Sequence, residues 1–145
     1  MEKRRELEHA AEEIEQLFAD LWQVFPFSRG ARRGFRPQVD CYRTDAEVVV
    51  VAELPGVDPD TIQLVAGARA LVIAGERRRP KQGGHYRQME IDYGPFQRQV
   101  TWDEEVDPER ATAAYTRGML EISLPLAPEP IRQDRVEIHV RMVTG

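Results

Sequence analysis

Apolar and polar positions alternate in two different rhythms along this chain. In residues 5–25 the side chains of Leu7, Ile14, Leu17, Phe18, Leu21, Trp22 and Phe25 recur at spacings of three, four and seven. Such spacing predicts an amphipathic helix with a single apolar stripe. Pro26 ends the pattern, and residues 27–37, with two glycines and four arginines, have no period and predict a flexible connector. The stripe is open to three uses: docking on its own body, docking on a neighbouring subunit, or acting as an interaction arm.

From Val39 onward the period is two. It is most regular in residues 111–125, where Leu120, Ile122 and Leu124 alternate with Met119, Glu121 and Ser123. This predicts a hairpin reversed at Thr116-Arg117-Gly118, with Gly118 at positive φ and Pro125 ending the second strand. One hairpin is not stable alone and needs further strands against its apolar face. Short strands are predicted at residues 39–43, 47–54, 61–65, 71–75 and 96–102, each bounded by turn residues such as Pro55-Gly56 and Asp58-Pro59-Asp60. The four consecutive valines at 48–51 suit a strand inside a sandwich. The fold class that follows is all-β, an antiparallel β-sandwich preceded by a helical arm.

Two stretches break this regularity. Residues 76–84 are charged and glycine-bearing, which predicts an exposed loop. After them His85, Tyr86, Arg87, Gln88 and Met89 regain strand character. A long loop carrying its own strand often has a role, and one such role is pairing with a neighbour's sheet edge. In the tail, Val136, Ile138, Val140 and Met142 alternate with Glu137, His139 and Arg141 behind a proline-bearing spacer. This one-sided strand either closes its own sheet or adds to another chain, and the proline-bearing spacer favours the second.

Composition narrows the class. At 145 residues the chain holds one domain with a core plus additional segments. The net charge of −5 argues against general nucleic-acid binding. A single cysteine, Cys41, excludes an intrachain disulfide and fits a reducing compartment. The charged start lacks the apolar core of a signal peptide, and no apolar run approaches the ~20 residues of a membrane span. A soluble cytoplasmic protein is expected.

Candidate chemistry is sparse. His9, His85 and His139 are scattered, without metal-ligand spacing to one another or to Cys41. Asp103, Glu104 and Glu105 read as a solvated turn, and no nucleophile elbow, phosphate-binding loop or dinucleotide fingerprint is present. Arginine clusters at residues 29–36 and 76–81 lack an aromatic stacking platform, so they read as solvated surface. Catalytic residues, cofactors and metals are all expected to be absent.

Several ordered segments resemble the small heat shock proteins. Val50-Val-Ala-Glu-Leu-Pro-Gly-Val57 is similar to the family's first core strand and turn, and Leu71-Val-Ile-Ala-Gly-Glu-Arg77 to the next. Tyr93-Gly-Pro-Phe-Gln-Arg98 resembles its aromatic–Gly–x–Phe–x–Arg segment, Gly118-Met-Leu120 its G-x-L signature, and Ile138-His-Val140 its C-terminal I-x-I/V motif. The resemblance implies the immunoglobulin-like sandwich of the α-crystallin domain at residues 38–126, between an arm at 1–37 and a C-terminal extension at 127–145. It further implies an ATP-independent holdase that binds unfolded client proteins as a large homo-oligomer of strand-exchanged dimers, with neither nucleic acid nor membrane as partner.

The same resemblance assigns roles. His85, Tyr86, Arg87, Gln88 and Met89, with Arg98, would form the dimer contact. Val136, Ile138 and Val140 would be the oligomerisation tail, entering a neighbour's groove lined by Ile62, Leu64, Ala113 and Tyr115. Either Val136-Glu137-Ile138 or Ile138-His139-Val140 could enter that groove. The arm's Leu7, Ile14, Leu17, Phe18, Leu21, Trp22 and Phe25 would bind clients. A non-catalytic scaffold or co-chaperone adaptor built on the same sandwich is the alternative.

Overall fold

The alternation in residues 112–125 folds into the hairpin β6 (Thr112–Thr116) and β7 (Met119–Pro125). Arg117 and Gly118 both take positive φ, 54° and 79°, as the tight turn demands. Gly118 is also needed for space, because a Cβ there would lie 2.9 Å from the Cα of Pro55. The computed structural model describes residues 12–17, 34–128 and 136–143. Within them, Leu120, Ile122 and Leu124 are fully buried, and the hairpin is covered by neighbours on both sides.

β7 pairs antiparallel with β2 (Glu47–Glu53), which pairs with β1 (Val39–Arg43). The valine run behaves as a sandwich strand should: Val48, Val49 and Val50 are buried and Val51 is half-buried. The second sheet is built from β3 (Gln63–Ala66), β4 (Ala70–Arg77) and β5 (Gly94–Thr101). Leu64, Leu71, Ile73, Phe96 and Val100 face the hairpin across one core. Phe96 fits because it pairs with Gly75, where a Cβ would stand 2.7 Å from its ring.

Two Asp-Pro turns set strand starts. Asp58 and Asp107 each accept a hydrogen bond from the backbone N–H two residues on, at 3.0 and 3.1 Å, and open short 3₁₀ turns. Thr61 therefore belongs to a turn, and β3 begins at Gln63 rather than at the expected residue 61.

The tail differs from the expected single strand. β8 (Val136–Ile138) joins β3 antiparallel, whereas β9 (Val140–Met142) joins β6 in parallel. The break at His139 lets one segment cross from one sheet to the other, giving sheet orders β1-β2-β7-β6-β9 and β5-β4-β3-β8. The expected strand at residues 85–89 is a further correction: residues 78–93 contain no strand. A strand is completed by its partner's N–H and C=O groups, and among the described residues this loop runs along no sheet edge.

The helix α1 (residues 12–17) lies on the outer face of the second sheet. Leu17 is buried there against Val65, Ala70, Val72 and Ala74, and Ile14 is half-buried beside it. Glu13 accepts from the Arg69 N–H at 3.4 Å. β4 is thus buried on both faces, which explains its unbroken apolar run from Ala70 to Ala74.

Candidate functional site

The groove forms where the edges of the two sheets, β3 and β6, lie side by side. Ile138 pairs with Leu64 and Val136 with Ala66 on one wall. Val140 pairs with Ala113 and Met142 with Tyr115 on the other, and the Val143 N–H donates to the Tyr115 carbonyl at 3.0 Å. Ile138 is 7% exposed, Ile62 and Leu64 are buried beneath it, and Val140 packs half-buried against the same core. Val136 is half-buried at the rim and does not join that cluster. The structure therefore seats Ile138 and Val140 deepest, and the groove that holds them belongs to the same chain. An open depression of about 640 Å³ remains beside the tail, bordered by Pro108, Ala111, Ser123 and Arg141.

Tyr115 fixes one end of the groove. Its hydroxyl donates to the Leu54 carbonyl at 2.7 Å, and burial raises its pKa, so it stays a donor at neutral pH. The first wall is further held by Trp102, whose indole N–H donates to the Ala68 carbonyl at 3.1 Å in the β3–β4 turn.

The long loop, residues 78–93, connects β4 to β5. Tyr86, Met89 and Ile91 are exposed at 43%, 57% and 61%, a run of apolar surface with no internal partner strand. Arginines hold its base. Arg77 is the one charged side chain buried among the described residues. Its Nε and Nη2 donate to the Asp92 carbonyl, and its Nη1 donates to the Pro55 carbonyl at 3.2 Å. The guanidinium also lies 3.6 Å from the Phe35 ring centroid and 5.4 Å from that of Tyr93. Arg79 stands over Tyr93 at 4.5 Å and Tyr86 at 5.2 Å.

The sequence pattern assigns no contact to Arg77, Arg79, Phe35 or Tyr93, and residues 76–81 read from it as solvated surface. The available signal was Arg77 in phase with Ile73 and Gly75, on the inward face of β4. Arg98, grouped with the loop, donates instead to the Pro37 carbonyl at 2.6 Å; desolvation and neighbouring Arg36 lower its pKa. Of the arm residues, Ile14 and Leu17 meet the outer sheet face, while Leu7, Phe18, Leu21, Trp22 and Phe25 lie outside the described residues.

Among the described residues no three His, Cys, Asp or Glu side chains gather in a way that could hold a metal ion. No described helix is long and apolar enough to cross a membrane.

Comparison with known proteins decides the family. Residues 40–141 match the model of the Hsp20/alpha crystallin family. The chain belongs to that family. Over 89 residues it is 32% identical to a "Probable 15 kDa heat shock protein" of Leptospira interrogans, covering 61% of this chain and 68% of that one. The solved hspA of Xanthomonas axonopodis superposes with a TM-score of 0.60 and 32% identity, covering 66% of this chain and 98% of that one. A small heat-shock protein from Xylella fastidiosa, described as having "a distinct high order structure", matches with a TM-score of 0.57 and 32% identity, over 68% and 94% of the two chains. Small heat shock proteins are ATP-independent chaperones rather than enzymes, bind unfolded clients and form oligomers. The two-sheet sandwich of this chain is their α-crystallin domain.

Proposed function

We propose that this small heat shock protein is a cytoplasmic holdase. It binds unfolding proteins without ATP and works as a large homo-oligomer assembled from strand-exchanged dimers. The observation that carries this reading is the groove between β3 and β6, an apolar slot whose occupant is a short, separable tail. Burying Ile138 fully and Val140 partly stabilises the contact by about 2–4 kcal/mol before the ordering entropy of the tail is subtracted. That is no more than the ~4 kcal/mol of a millimolar complex.

In the structure the tail lies on its own body. Residues 127–135 span at most about 30 Å when extended, so the same Ile138 and Val140 can also enter the groove of an adjacent subunit. Many weak contacts in a closed assembly hold through effective concentration, yet each opens singly. Val136 at the rim then contributes less than Ile138 or Val140.

The dimer contact in this reading is the exposed loop at His85–Met89, laid along the outer edge of β1 in a partner. β1 is a terminal strand of its sheet, and residues 40–43 are exposed. Opened grooves and the freed arm together present apolar surface to a client. Light scattering of a heat-labile client tests the function: aggregation is suppressed at near-equal subunit ratio with no nucleotide. No suppression under those conditions would sink it.

A further inference from the structure

We infer that Arg77 and Phe35 act together as the positioning unit of the dimer contact: they fasten the base of the 78–93 loop, so that its exposed segment meets a partner from a fixed origin. This rests on the strand-exchanged dimer and names what sets the strength of that contact. Arg77 is the last residue of β4 and pairs with Gly94, the first residue of β5. It therefore stands where the loop leaves the sheet and returns to it. Its Nε and Nη2 donate to the Asp92 carbonyl on the returning limb, and its Nη1 donates to the Pro55 carbonyl beyond the end of β2. One buried side chain thus ties the loop to a turn that follows a strand of the opposite sheet.

Phe35 completes the unit. Its ring centroid lies 3.6 Å from the guanidinium, and the ring meets Phe96 edge-on at 5.8 Å. Gly34 brings the chain hard against the start of β5, where a Cβ would lie 1.7 Å from the Pro95 carbonyl oxygen. From this base the contacts continue outward. The Tyr93 ring meets Arg77 at 5.4 Å and Arg79 at 4.5 Å, and Arg79 reaches the Tyr86 ring at 5.2 Å. The Arg79 Nη2 also donates to the Ile91 carbonyl at 3.5 Å. Tyr86 belongs to the dimer-contact segment, so rings and guanidiniums form a continuous series from Phe35 to it. The tip itself stays available, with Tyr86, Met89 and Ile91 exposed. A segment carried on a fixed base loses less conformational freedom when it associates, and that saving appears as affinity.

The test mixes isotope-labelled and unlabelled full-length chain and follows, by native mass spectrometry, the rate at which light–heavy dimers appear. Arg77→Lys keeps the charge but cannot bridge both carbonyls; it should speed mixing about 3- to 10-fold. Phe35→Leu should act in the same direction. The double variant should mix no faster than Arg77→Lys alone, because the two residues hold one base. Amide exchange should quicken at residues 91–95 in both single variants while β2 and β7 stay unchanged. Val106→Ala, a change in the buried core, measures what lost stability alone does to the mixing rate.

Mixing unchanged or slowed in Arg77→Lys would overturn the inference and leave the dimer reading intact. So would additive effects in the double variant, or unaltered amide exchange at residues 91–95. Mixing accelerated as much by Val106→Ala, for the same shift in urea midpoint, would reduce Arg77 to a purely structural residue and also overturn it. An unaltered chain that yields no dimers under any condition would overturn both.

Discussion

At the scale of single residues, Arg77 shows how a charge is made compatible with burial. Its donors meet two carbonyls, those of Pro55 and Asp92, from separate segments, and Phe35 covers its face. Removing it leaves those carbonyls without that donor. Arg77→Leu is expected to cost about 2–4 kcal/mol in urea unfolding. Arg77→Lys should recover only part of that loss, because an ammonium cannot bridge both carbonyls in the same plane. Cys41 is a second case. It is exposed on β1, yet partial desolvation and the Glu104 carboxylate both disfavour its thiolate, raising its pKa. At pH 7.5 it should therefore alkylate more slowly than free cysteine, and Glu104→Gln should speed the reaction. Equal rates in the two proteins would remove Glu104 from the account.

At the scale of elements, the tail is the piece whose attachment is weakest for its consequence. β8 and β9 have three residues each, and Ile138 is the one fully seated side chain. Ile138→Ala removes about 1.5–3 kcal/mol of burial, which should accelerate amide exchange in residues 136–142 about 10- to 100-fold while leaving β2 and β7 unchanged. Val136→Ala should have a much smaller effect, since Val136 stands at the rim. If the two variants exchange alike, the register with Leu64 and Ala113 is not what holds the tail. The hairpin β6–β7 lies at the other extreme, with neighbours on both sides and the core beneath it.

At the scale of the whole molecule, the two sheet edges at the groove and the open edge of β1 are the places where one chain meets others in the proposed assembly. Native mass measurement should find a large oligomer that releases smaller species on warming. The double variant Ile138→Ala with Val140→Ala should elute as a much smaller particle by size-exclusion chromatography. An unchanged elution volume would show that assembly uses another surface. A tail that stays on its own body at all concentrations would give a small particle even for the unaltered chain.

Much of the architecture is legible in the sequence because it is encoded locally. The alternation of Leu120, Ile122 and Leu124, the glycine at 118 and the Asp-Pro turns specify strands and reversals through neighbouring residues alone. The tail's apolar register was equally plain. Pairing partners are different: they depend on edges contributed by segments distant in sequence. Only the tertiary structure split the tail at His139, placed Ile138 against Leu64 and Val140 against Ala113, and left residues 78–93 without a strand. It also supplied what keeps Arg77 buried on the inward face its phase with Ile73 and Gly75 marks, since burial of a guanidinium depends on Phe35 and two remote carbonyls that no local pattern announces. The small side chains of Ala70, Val72 and Ala74 read simply as strand; that their second face needs a cover became visible only once α1 was found lying on it.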